Sequence, residues 1–123
     1  GSFVCPSSAD TKSDTGLITS SSCSYAYAPG LHQQIASGTA IMADKKSDEY
    51  VGTGSNQLRL QSADNHGIDG VNVLYVRGNV AWVPAAVNKP SDGCGLLPKD
   101  KLPNCGGTSA TCPYGLYKPA ASW

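Results

Sequence analysis

Apolar and polar residues are patterned most regularly between positions 65 and 84, in NHGIDGVNVLYVRGNVAWVP. Two apolar runs, Val71 to Val76 and Val80 to Pro84, are separated by Gly78-Asn79, whose glycine accepts the positive φ of a tight turn. The pattern predicts a β-hairpin centred on those two residues. With that centre, Arg77 faces Val80, Val76 faces Ala81, and Tyr75 faces Trp82 in an aromatic pair worth about 0.5–1 kcal/mol. Period-two alternation then puts Val71, Val73, Tyr75, Val80 and Trp82 on one face, and Asn72, Leu74, Val76, Ala81 and Val83 on the other. Both faces are largely apolar, whereas a hairpin at the surface of a self-sufficient domain shows water one polar face. A chain of 123 residues with few helical segments is short of material for two covers. The hairpin therefore points to a packing partner outside the sequence.

Elsewhere the pattern is weaker. Cys23 to Ala28, CSYAYA, reads as a strand with Tyr25 and Tyr27 on one face, stopped by Pro29-Gly30. Thr39 to Ala43 is a second short strand that ends at Asp44, and KKSDEYVGTGSNQ after it reads as an exposed, flexible loop. Leu31 to Ser37 is left open between a helical turn and a crossing loop. Leu58 to Leu60 either pairs briefly or tucks under. Beyond Pro84 the chain is rich in Pro, Gly and Lys, an irregular appendage anchored through Leu96, Leu97, Tyr114, Tyr117 and Trp123. The fold class is mainly β: one domain over residues 1–123, with its core in 3–84 and an irregular extension over 85–123.

Composition narrows the function. Nine basic and nine acidic residues cancel, and no basic cluster tracks phosphates, so nucleic acid is not the expected partner. No window reaches the 18 or more apolar residues of a membrane span, so no direct insertion is expected. Gly1-Ser2 resembles an expression scar, in which case the natural segment begins near Phe3 and its upstream part was removed. Five cysteines, at positions 5, 23, 94, 105 and 112, in a loop-rich chain point to an oxidising compartment. Many connectivities are open to five. The favoured pair is Cys5 with Cys23, clasping the polar loop between them at about 3 kcal/mol in the chain-entropy model. Cys94 with Cys105 is the second expectation, which leaves Cys112 free or bonded elsewhere. Zinc on the late cysteines is disfavoured by their spacing and by the lack of a CxxC or a nearby His.

The strings FVCPSSAD, SYAYAPGL, IMADKK and NHGIDGVNVLYVRGNVAWV together resemble the C-terminal part of bacterial prepilin-like proteins, relatives of type II secretion pseudopilins and type IV pilins. That family ends in a His, nine residues, then Asp-Gly and a strand. Here ten residues separate His66 from Arg77-Gly78, so the spacing is longer by one and Arg replaces Asp. The resemblance spans residues 3 to 84. It implies a small antiparallel sheet packed on a long N-terminal helix, α+β once that helix is counted. Here the helix is either removed or supplied by a separate short chain. It implies further a homo-oligomeric filament, pilus or pseudopilus, at the bacterial surface, extracellular or periplasmic. Leu74, Val76 and Val83, or the opposite face with Tyr75 and Trp82, are then the residues that meet helix or neighbour.

Candidate chemistry is sparse. Asp64, Asn65, His66 and Asp69 make an oxygen-bearing loop of the kind that holds calcium, with Asp64 and Asp69 the carboxylate candidates, although a plain hydrogen-bonded turn uses the same residues. No other cofactor is expected. GTGSN at 52 to 56 is neither a nucleophile elbow nor a phosphate loop, and only His32 and His66 could serve as a base. The expectation is an assembling structural subunit, not an enzyme. The competing expectation is a secreted module that binds carbohydrate or calcium through its late aromatics or the acidic loop.

Overall fold

Residues 70 to 84 form the hairpin that their apolar runs predict, in a different register. In the computed structural model, which describes residues 3–15, 18–28, 35–47, 50, 58–86, 93–102, 105 and 115–117, the chain is mainly β. Its strands are β1 (Tyr25–Tyr27), β2 (Ala40–Asp44), β3 (Arg59–Leu60), β4 (Gly70–Tyr75), β5 (Val80–Pro84) and β6 (Gly95–Leu96), followed by a 3-10 turn at Lys99–Lys101. An antiparallel four-stranded sheet runs β1-β2-β4-β5, and β3 pairs with β6 in a separate two-stranded ribbon.

The turn decides which face of the hairpin is inside. Gly78 has φ +94°, the left-handed geometry expected of it. It is, however, the third residue of a three-residue loop: its N–H donates to Tyr75 O at 2.8 Å, and Tyr75 N–H donates to Asn79 O at 3.0 Å. The strands consequently pair Val71 with Val83, Asn72 with Trp82, Val73 with Ala81 and Leu74 with Val80. Tyr75 does not face Trp82. Relative to the expected pairing, the strands have slipped by an odd number of residues, and an odd slip turns one strand's side chains over. Val71, Val73, Tyr75, Ala81 and Val83 now share the inner face, and Leu74, Val80 and Trp82 the outer one. Leu74 and Val83, expected together, lie on opposite faces, and Val83 is buried in the core. Val76 sits half-buried in the turn.

The inner face carries mostly small residues, Ala26, Ala40, Ala43, Val71, Val73 and Val83, and larger ones lie against it. Leu58 and Leu60 come from the ribbon side, and Leu97, Leu102, Cys105 and Leu116 from beyond residue 85. The C-terminal stretch thus supplies core and is no appendage. Pairing small residues with leucines is how a chain with a single Phe fills its interior at native density. Of the expected anchors, Leu97 is buried and Leu96 exposed, while Tyr117 exchanges two backbone hydrogen bonds with Tyr27 at the β1 edge. Tyr114 and Trp123 lie outside the described residues. Tyr50, expected in an exposed loop, is fully buried.

Neither expected disulfide is present. Cys5 and Cys23 are free thiols turned to different partners, Cys5 Sγ to His66 Nε2 at 3.8 Å and Cys23 to the Tyr25 carbonyl at 3.6 Å. Cys94 and Cys105 are not bridged to each other, and Cys112 lies outside the described residues. A polar network closes the loop between Cys5 and Cys23 instead. Lys45 Nζ binds Asp10 at 2.8 Å and also the Ser20 carbonyl; Ser24 Oγ accepts the Cys5 N–H at 2.8 Å and donates to Asp10 at 2.9 Å. Among the described residues no helix is long and apolar enough to cross a membrane.

Candidate functional site

The outer face of the four-stranded sheet carries two rows of side chains. In the first, Tyr27 stands beside Met42, Met42 beside Leu74, and Leu74 beside Val80, one residue from each strand. A bulge at Ile41 sets this row: Ala40 pairs with Tyr75 on the inner face, and after the extra residue Met42 pairs with Leu74 on the outer. Met42 and Val80 are exposed, the latter at 67 %, and Tyr27 and Leu74 are half-buried. The second row holds Tyr25, Asp44, Asn72 and Trp82, and Trp82 remains 46 % exposed. The result is an apolar stripe across the sheet, bordered on one side by a polar cluster.

That cluster is built from three distant parts of the chain. Asp44 ends β2 and is buried, its Oδ2 accepting from the Asn72 N–H at 2.7 Å and from Asn72 Nδ2 at 3.2 Å. His66 is brought over it by the turn before β4, where Asn65 Nδ2 donates to the Ser24 carbonyl at 2.7 Å. His66 Nε2 then lies 3.3 Å from Asp44 Oδ2 and 3.8 Å from Cys5 Sγ, and the ring meets the Trp82 indole edge-on at 5.4 Å between centroids. The indole in turn rests over Gly70. A Cβ there would lie 2.8 Å from Trp82 Cζ2 and 2.5 Å from the Val83 carbonyl oxygen, so only glycine fits. Burial, with neighbouring Cys5 and Asp44, raises the Tyr25 hydroxyl pKa above the ordinary tyrosine value.

The expected calcium ligands do not converge. Asp64 is buried and committed: Oδ1 accepts from the Ser47 N–H and hydroxyl at 2.7 and 2.8 Å, and Oδ2 from the Gln61 N–H at 2.7 Å. Asp69 is exposed. Among the described residues, Cys5, Asp44 and His66 form the only group of three such side chains with converging donor atoms. Of the three, only His66 is in the cluster expected from the sequence; Asp44 is not, and Cys5 is there expected in a disulfide.

Thiol, imidazole and carboxylate also suggest a nucleophilic triad, and one detail argues against it. In a triad the base uses one ring nitrogen for the nucleophile and the other for the orienting acid. Here the same atom, Nε2, faces both Sγ and Oδ2. Comparison with known proteins finds no counterpart: no family model, curated protein or solved structure matches the chain.

Proposed function

We propose that the chain is the globular head of an extracellular filament subunit of pilin or pseudopilin type, and that it acts by assembly instead of turnover. One observation carries this reading: the half-buried to exposed apolar row Tyr27, Met42, Leu74, Val80, with Trp82 beside it, on a sheet whose other face is filled by the chain's own leucines. An apolar strip that crosses a sheet's outer face is a contact surface in want of a partner. The partner is the apolar flank of an α-helix, from the same gene product or a separate short chain. It lies across the strands with its side chains between Met42, Leu74 and Val80. The resemblance of residues 3 to 84 to prepilin-like heads supports the same partner.

The test is electron microscopy of filaments from cells producing the full-length gene product, with wild-type and Leu74→Asp subunits. Leu74→Asp places a charge in the strip without touching the inner core, so it abolishes filaments while the variant still accumulates. Filaments of normal number and length from Leu74→Asp subunits would defeat the proposal.

A further inference from the structure

We infer that Cys5, Asp44 and His66 form a binding site for a divalent cation of the zinc class. One ligand atom from each lies within 4.8 Å of the other two, and two of the three residues are buried. Tetrahedral bond lengths of 2.0–2.3 Å set such donors about 3.3–3.6 Å apart. Nε2 to Oδ2, at 3.3 Å, already meets that spacing, and Sγ to Nε2, at 3.8 Å, nearly does. The remaining pair, the Cys5 sulfur with the Asp44 carboxylate, is at most 4.8 Å apart and closes by at most about 1.2 Å.

The hydrogen-bonding pattern favours a shared cation over a simple polar network. Nε2 carries one proton at most, which the thiol and the carboxylate have to share. Asp44 Oδ2 already accepts twice from Asn72. An ion among the three would take the place of the proton they share at Nε2, with the Asn72 bonds as outer contacts that orient the carboxylate. One thiolate, one imidazole and one carboxylate suit zinc or cobalt; calcium and magnesium need more oxygen. Three protein ligands leave the fourth position to water. The ion would staple the N-terminal segment, the end of β2 and the turn before β4 together, under the indole of Trp82. This inference is independent of the filament reading, since a head can bind zinc whether or not it assembles.

The experiment titrates the reduced, metal-stripped full chain with Co2+ and then with Zn2+. Expected are one cobalt per chain, a thiolate-to-cobalt charge-transfer band, and loss of that band as zinc displaces cobalt. The band survives Cys23→Ser and disappears in Cys5→Ser and in His66→Gln. Asn72→Ala weakens zinc binding by about 10–100-fold. A wild-type chain without the band, or a band that persists in both Cys5→Ser and His66→Gln, overturns the site. Should Cys5→Ser fail to fold, alkylation of the wild type read by mass spectrometry decides the matter. Zinc protects Cys5 if the site exists, and equal labelling of Cys5 with and without zinc refutes it.

Discussion

Tyr50 lies in a stretch written almost entirely in polar residues, yet its ring is fully buried, its hydroxyl donates to the Asp44 carbonyl at 2.5 Å, and Lys46 Nζ lies 5.0 Å from its centroid. Burial, followed by the nearby Asp44, holds its pKa well above the ordinary 10.0. The unfolded chain therefore loses this proton at a lower pH than the folded one. Stability from this source is complete below about pH 10 and declines as pH rises from there toward the folded pKa. Tyr50→Phe removes the hydroxyl's bond to the Asp44 carbonyl and costs about 0.5–1.5 kcal/mol at neutral pH. It also flattens the alkaline decline, which denaturant melts at several pH values would reveal; an unchanged alkaline slope would mean that another group controls it. Nothing in KKSDEYVG announced this burial, because a lone aromatic among charges has no periodicity to read. Cys5 was legible only as a cysteine: its spacing from Cys23 suggested a clasp, and its contact with His66, sixty-one positions away, has no local signal.

At the level of elements, the strands were legible and their pairing was not. β5 coincides with the predicted apolar run, and β1, β2 and β4 lie within a residue or two of theirs. The positive φ at Gly78 was likewise readable, but a left-handed glycine fits both the first position of a two-residue turn and the last of a three-residue loop. Choosing between them reverses one strand. The choice made by the chain is supported by Gly70, whose missing side chain lets the Trp82 indole settle on the outer face. Gly70→Ala forces the indole or the Val83 carbonyl aside and costs about 1–3 kcal/mol, as overpacking does. Thermal melts check this, along with loss of the ring-current shift that Trp82 imposes on His66. A variant as stable as wild type, with the shift retained, would mean that the indole lies elsewhere. Short β3 is the brief pairing that was one of the two alternatives open for Leu58 to Leu60, and β6 escaped prediction, since a two-residue pairing carries no alternation.

For the molecule as a whole, the two faces of the four-stranded sheet differ in how far their apolar residues are covered. The sequence suggested that the hairpin's two apolar faces needed more cover than the chain itself could supply. Instead, Leu97, Leu102 and Leu116, isolated leucines among Pro and Gly, close the inner face. They were hard to foresee because a buried loop leucine looks like any other until its sheet is known. The outer face keeps Met42, Leu74, Val80 and Trp82 near solvent, and the proposed function rests on that asymmetry. Adjacent residues of one strand test it most directly: Val73, fully buried, and Leu74, on the outer row. In thermal melts of the isolated chain, Val73→Asp unfolds the domain, and Leu74→Asp leaves the melting temperature within a few degrees of wild type. Equal loss of structure in both variants would show that the outer face is ordinary core and contradict the account.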